Sequence, residues 1–135
     1  MHTQVTPEAT AHHSVVALHD LIAAVFTGQD GPVAYAQLMH HFDADFHMVT
    51  ISGAKVGLAA VQQLFKQGMG QRPGLSINIS DVKTLCVAGQ QVWVQYQETH
   101  TLADVVTRRL AVAYIQVVSA SEWRWLYLHE TPVLA

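Results

Sequence analysis

The stretch Glu122-Trp-Arg-Trp-Leu-Tyr-Leu-His-Glu-Thr131 decides the fold, because its residues read as one long strand with two different faces. Successive side chains of an extended chain point to opposite sides. A regular strand would place Trp123, Trp125, Tyr127 and His129 on one face, and Leu126, Leu128 and Glu130 on the other. Neither face is typical of solvent-exposed surface, so we expect the rest of the chain to build a sheet with this strand inside it.

Length and composition predict one soluble globular domain over residues 1–135, with residues 1–6 as a flexible N-terminus. Half of the residues are hydrophobic and 13% are charged, which argues against disorder. The net charge of −3 does not favour nucleic-acid binding, and no apolar run approaches the roughly 18 residues of a membrane span. A lone Cys86 and a start without signal-peptide features favour a cytoplasmic location.

Upstream of residue 75, apolar residues recur at three- and four-residue spacing, which predicts helices. The first begins at Pro7 after Thr6 and ends at Gly28; the second covers Val33 to Phe42, and the third Val56 to Gln67. A short strand over Phe46 to Ile51 separates the last two.

From Leu75 onward the period changes to two, which predicts strands joined by tight turns. The phase slips near Ser80-Asp81, which indicates a bulge, and Ala88-Gly89-Gln90 is typical of a hairpin turn. We therefore predict an α+β domain with three N-terminal helices packed on one face of a curved, mostly antiparallel β-sheet.

This order of elements resembles the nuclear transport factor 2-like superfamily, also called SnoaL-like or cystatin-like, and in particular its small bacterial members of unknown function. The segments that carry the resemblance are Asp45-Phe-His-Met-Val-Thr50 with Gly53, Arg72-Pro-Gly-Leu75, Tyr96-Gln-Glu98 and Trp125-Leu-Tyr-Leu-His-Glu-Thr-Pro132. The resemblance implies a cone-shaped fold with a pocket between helices and sheet, and a dimer formed through the outer face of the sheet. Function does not follow from this fold alone.

Alternation along the strands predicts which residues line the pocket. We assign three sets of residues to the concave face, because these sets supply the aliphatic side chains against which the helices can pack. They are the even-numbered residues from Val92 to His100, the even-numbered residues from Arg108 to Tyr114, and Leu126, Leu128 and Glu130. The predicted ligand-binding residues are Tyr96, Glu98, His100, Arg108, Tyr114, Leu128 and Glu130. His100 and Glu98 are the candidate catalytic acid–base pair; alternatively, Arg108 forms a purely structural ion pair with Glu98 or Glu130.

The opposite face is rich in aromatic residues, which suits a protein interface better than open water. We predict a homodimer through Trp93, Trp123, Trp125, Tyr127 and His129.

Two kinds of chemistry find little support in the sequence. In ketosteroid isomerases, which the superfamily includes, a catalytic Asp and Tyr would fall at Thr50 and Leu21, so that route is disfavoured. The cluster His40-His-Phe-Asp-Ala-Asp-Phe-His47 spans a helix end, a turn and a strand start, so we predict no metal site and no cofactor. His19 and His100 match the histidines of scytalone dehydratase-like enzymes only by residue type, and a satisfied buried histidine is the simpler interpretation of His19.

Three functions remain open from the sequence. The first is a dimeric binding protein with a mostly apolar pocket for a small apolar or amphipathic ligand, without nucleic-acid or membrane partners. The second is a dehydratase, isomerase or cyclase that uses a pocket His or Glu as general base. The third is an association module whose aromatic outer face is the functional surface.

Overall fold

The computed structural model describes residues 5–134 and contains three helices and a six-stranded sheet. Residues 1–4, which make up most of the predicted flexible N-terminus, and residue 135 lie outside the described part. In chain order the elements are α1 Pro7–Thr27, α2 Gly31–His40, β1 Phe42–Val49, β2 Lys55–Gly57, α3 Leu58–Gly68, β3 Ser76–Ala88, β4 Gln91–Leu102, β5 Val105–Ser119 and β6 Glu122–Pro132.

The strands form one sheet in the order β2-β1-β6-β5-β4-β3, in which only the β1–β6 pair is parallel. Helices α1 and α3 pack on the same, concave side of this curved sheet. The predicted fold class, a cone-shaped α+β domain with three helices on a curved, mostly antiparallel sheet, is confirmed.

Helix α1 is the central helix of the core. It begins as predicted, because the Thr6 hydroxyl accepts a hydrogen bond from Ala9 N at 3.1 Å, and it ends at Gly28 with φ of 83°. By length and composition alone it is apolar enough to cross a membrane. In this structure its face formed by Val15, Leu18 and Val25 is fully buried against the sheet.

The predicted boundaries around β1 are wrong by several residues. Helix α2 ends at His40, and Phe42 begins β1 instead of closing the helix. The segment Lys55–Gly57, whose last two residues are predicted to begin the third helix, is a short strand that pairs with Val49, Met48 and His47. A hairpin therefore replaces part of the predicted loop and helix.

Strand β6 contains a bulge at Leu126. Ile115 lies opposite Trp125 and Tyr114 lies opposite Tyr127, so Leu126 has no partner on β5. One extra residue reverses the alternation of all side chains on one side of it. Consequently Trp125 shares the concave face with residues that follow the bulge, as does Trp123.

The prediction that Trp123 and Trp125 form a dimer interface is therefore wrong. Trp125 is completely buried, and its indole N–H donates to Ser14 Oγ at 3.2 Å. Trp123 is also buried, and the His41 ring stacks on it with 3.6 Å between centroids. Both indoles belong to the core under α1 and α2.

The predicted alternation along β5 is wrong by one residue. The buried side chains are Ala111, Ala113, Ile115 and Val117, whereas Arg108, Leu110, Val112 and Tyr114 point to the other face. Both faces of β5 are apolar, so hydrophobicity alone does not distinguish them. Helix α1 contacts β5 directly, and small alanine side chains let its backbone approach closely.

Candidate functional site

A cavity of about 230 Å³ lies between α1, α3 and the concave face of the sheet. Apolar side chains form most of its wall, among them Ile22, Phe26, Phe65 and Leu128. The remaining wall consists of charged and polar groups contributed by α1, β4, β5, β6 and the loop before β3. These groups are His19, Arg72, Glu98, His100, Arg109 and Glu130.

The protonation of one His19 nitrogen is fixed by a hydrogen bond within α1. Its Nδ1 lies 2.7 Å from the carbonyl oxygen of Val15, four residues earlier in the helix. A carbonyl only accepts, so Nδ1 carries a hydrogen and donates it. The other nitrogen, Nε2, lies 3.1 Å from Glu98 Oε2 and 3.5 Å from the Tyr96 hydroxyl. Burial lowers the pKa of His19, but the Glu98 carboxylate outweighs burial and leaves this pKa above its usual value.

Glu98 is the centre of the polar cluster, with one oxygen directed to each imidazole. Its Oε1 accepts a hydrogen bond from His100 Nε2, and its Oε2 forms the ion pair with His19. Burial raises the pKa of Glu98, but the charge of His19 and the hydrogen bond from His100 hold it well below its usual range. Glu98 is therefore an ionised carboxylate inside the protein.

The cluster is incompletely satisfied. Glu98 Oε2 has the His19 ion pair as its single partner among residues 5–134, and His100 Nδ1 is buried there without a hydrogen-bond partner. A buried polar atom without a partner costs roughly 1–3 kcal/mol.

Glu130 completes the polar wall from β6. Its Oε1 lies 3.4 Å from Arg109 Nη1, and only 8% of its side chain is exposed. Burial and the negative charge of Glu98 raise the pKa of Glu130 to about 7, while Arg109 opposes them. Glu130 can therefore both hold and release a proton near neutral pH.

The structure brings together Tyr96, Glu98, His100, Leu128 and Glu130 on the concave side, as the strand pattern predicts. The predicted pocket positions of Arg108 and Tyr114 are wrong. Arg108 is exposed on the other face of the sheet, where Tyr114 donates a hydrogen bond to Gln91. The one-residue shift of β5 explains both errors.

Arg109 takes the place predicted for Arg108, and it pairs with Glu130 instead of Glu98. Ala111 and Ala113 are buried under the helices, and Arg109 lies on the same face of β5 because all three residues have odd numbers. Their burial therefore identifies Arg109 as the arginine that faces the cavity. Glu98 pairs with two histidines, so the predicted ion pair with an arginine is wrong for this carboxylate.

A second cavity, also of about 230 Å³, adjoins the first and shares Leu64, Arg109 and Glu130 with it. Its remaining wall is mostly apolar and includes Met48 and Val56. The Arg109–Glu130 ion pair thus stands between two cavities of equal size.

The outer face of the sheet carries an open groove of about 400 Å³, lined by Asp43, Asp45, His47, Trp93, Tyr114, Leu126 and Tyr127. The Trp93 and Tyr114 rings are nearly parallel, with centroids 4.5 Å apart. Tyr127 lies in the same groove, and its hydroxyl is 3.0 Å from Nδ1 of the exposed His129. Trp93, Tyr127 and His129 are therefore on the outer face, as predicted.

The histidine-rich segment around His40 has structural contacts. His40 Nε2 lies 3.0 Å from Glu122 Oε1, and His41 stacks on Trp123. Within residues 5–134 no group of three or more His, Cys, Asp or Glu side chains is arranged to hold a metal ion.

Residues 15–134 match the family model of the SnoaL-like domain. The chain belongs to the SnoaL-like family. A search of proteins with curated functions found no match.

Solved structures agree with this membership. An NTF-2 like protein of unknown function from Pseudomonas aeruginosa is 26% identical, with a TM-score of 0.87 over 93% of this chain and 99% of the other. An NTF2-like protein of unknown function in nutrient uptake from Rhodospirillum rubrum is 14% identical, with a TM-score of 0.67 and coverages of 89% and 98%. The CaMKII hub of S. rosetta is 18% identical, with a TM-score of 0.65 and coverages of 90% and 95%. The last two similarities show the fold alone.

Proposed function

We propose that this SnoaL-like protein binds a small, mostly apolar molecule in the cavity between α1, α3 and the sheet. The observation that carries this proposal is an apolar cavity with a polar wall in which the buried His100 Nδ1 lacks a hydrogen-bond partner within residues 5–134. Ligand sites commonly combine apolar walls with a few convergent polar groups. The volume is below the roughly 300 Å³ of the smallest drug-sized sites, so the ligand is small.

Binding of a hydrophobic fluorescent dye tests the cavity. Leu64 lines both cavities although its side chain is largely exposed, so Leu64→Trp adds bulk at the cavities without opening the core. Leu85→Trp is the matched control, because Leu85 is similarly exposed on β3 and lines neither cavity. We expect dye binding to fall in the Leu64 variant only. Equal dye binding by both variants and the wild type contradicts the proposal.

A second candidate function is acid–base catalysis in the same cavity. It is favoured by Glu130, a cavity carboxyl whose pKa is about 7. Because Glu98 is a weak base with a low pKa, we assign it to orienting His19 and His100. Proton transfer then falls to His100 and Glu130, which revises the predicted His100–Glu98 pair.

Deuterium incorporation tests this second candidate. A panel of small ketones in D₂O, analysed by mass spectrometry, should show exchange by the wild type and none by Glu130→Gln. Exchange that is unchanged in the variant rules out Glu130 as the proton carrier.

We further propose that the outer face of the sheet forms a homodimer through Trp93, Tyr127 and His129. The groove contains Trp93, Tyr114 and Tyr127, and aromatic residues are enriched at protein interfaces. The similarity in fold to a CaMKII hub is consistent with an association role, which is the third candidate.

Light scattering after size exclusion tests the dimer. Tyr127→Glu adds a third carboxylate to the groove, whereas Val33→Glu changes an exposed position of α2. We expect a monomer for the first variant and a dimer for the second. A dimeric Tyr127 variant means that another surface carries the association.

A further inference from the structure

The loop at the edge of the first cavity, residues 69–74, is fixed to the end of α1. Gly70 N donates to Val25 O and Arg72 N donates to Phe26 O, each at 2.9 Å. The two segments touch at Gly28 and Gly70, because a Cβ on Gly28 would lie 3.2 Å from the Gly70 Cα. This close approach requires glycine and sets the position of the Arg72 backbone.

The Arg72 side chain lines the cavity and has no acidic partner. Its guanidinium carbon lies 5.8 Å from the centroid of the Phe26 ring, and the residue is half-buried. None of the ion pairs within residues 5–134 includes Arg72. A guanidinium that rests on an aromatic ring without a carboxylate keeps its planar donor edges available for an anion.

The cavity wall carries more positive than negative groups, although the chain has a net charge of −3. The cationic groups are Arg72, Arg109 and protonated His19, and the carboxylates are Glu98 and Glu130. Protonation of Glu130 increases the positive excess further. Such an excess next to largely buried side chains favours an anionic ligand.

We propose that the first cavity selects a small apolar carboxylate, whose anionic group binds Arg72 while its hydrocarbon body lies against Phe26, Phe65 and Leu128. This proposal rests on the cavity function proposed above and adds the chemical class of the ligand. Neutral molecules of the same shape should therefore bind more weakly.

Ligand binding is also coupled to a proton on Glu130. The charged groups that face Glu130 are Glu98 from β4, Arg109 from β5 and His19 from α1, with Arg72 on the loop at the cavity edge. A ligand carboxylate adds another negative charge to this set and so favours the protonated form of Glu130. Carboxylate affinity should therefore rise as the pH falls from about 8 to about 6.

Titration with sodium hexanoate and with the neutral hexanamide tests the proposal. By NMR, the wild type should bind hexanoate about tenfold more tightly than hexanamide, as expected for one charge-assisted hydrogen-bond pair. Arg72→Gln should remove this preference. Arg108→Gln, which makes the same change in net charge at an exposed residue of the other face, should retain it. Glu130→Gln should weaken the pH dependence of hexanoate affinity between about pH 6 and about pH 8, and an unchanged pH dependence overturns the coupling to Glu130.

The outcomes separate this inference from the proposed function. Equal affinity for hexanoate and hexanamide, or an unchanged preference in Arg72→Gln, overturns selection of a carboxylate but leaves cavity binding in place. Absence of saturable hexanoate binding also overturns it, and the dye measurements with Leu64→Trp then judge the cavity function independently.

Discussion

Replacing Glu130 by Gln should change how the stability of the protein depends on pH. In the native state the pKa of Glu130 is about 7, against a reference value of 4.5 for an unburied carboxyl. Between these values the native state holds a proton that the unfolded state has lost. Stability therefore falls as the pH rises through this window, and the loss is complete above the native pKa.

The size of the effect follows from the shift. One pKa unit corresponds to about 1.4 kcal/mol, so ionised Glu130 destabilises the native state by about 3 kcal/mol above pH 7. Gln has a similar shape and no charge, and it avoids this loss. We expect Glu130→Gln and the wild type to be similarly stable near pH 4, and the variant to melt roughly 10 °C higher near pH 8.

Thermal or urea unfolding monitored by circular dichroism across this pH range measures the difference. Other titrating groups such as Glu98 and His19 are present in both proteins, so the difference between the two curves isolates Glu130. Glu122→Gln is the control, since Glu122 lies on the same strand but is considerably exposed. Parallel curves for wild type and Glu130→Gln would refute the raised pKa.

Two further predictions concern the core and the polar cluster. Trp125→Ala should lower the free energy of unfolding by about 3–5 kcal/mol in urea melts, because the indole is fully buried. Trp93→Ala, at the outer groove, should lower it much less. Equal losses in the two variants would contradict the Leu126 bulge. His19→Gln should lower the free energy of unfolding by about 3–5 kcal/mol at neutral pH, because it leaves the buried Glu98 charge without its cation. His13→Gln, at an exposed position of α1, should not change this free energy. An equally stable His19 variant would mean that the ion pair contributes little.

The sequence predicts the fold well where one pattern is unambiguous. Helix α1 has both a cap at Thr6 and a long apolar stripe, and β4 alternates strictly, so its buried Glu98 and His100 are correctly placed. The β3 bulge is visible as a slip near Asp81, which adopts φ of 54°.

Prediction fails where two faces are equally apolar or where one residue is inserted. On β5, Leu110 and Val112 are more hydrophobic than the alanines that are actually buried, so hydrophobicity favours the wrong face. On β6, no residue type marks Leu126 as unpaired, because the register between β5 and β6 decides this. The first effect puts Arg108 in the predicted pocket in place of Arg109, and the second puts Trp123 and Trp125 in the predicted dimer interface.

The position of Arg72 also depends on contacts distant in sequence. Arg72 is visible in the sequence as a loop residue, but its place at the cavity follows from backbone hydrogen bonds to α1 and from the contact between Gly28 and Gly70. Local patterns carry no information about such a contact.

The attachment of loop 69–74 to α1 has a consequence for how molecules enter the cavity. Because backbone hydrogen bonds join the loop to the end of α1, we expect the two segments to move together and to form a rigid side of the entrance. Helix α3 closes the other side; its first turn has no side-chain cap, and Leu64 on its exposed surface reaches both cavities. Widening the entrance therefore requires α3 to move, and the rate of ligand entry should depend on the stability of that single short helix.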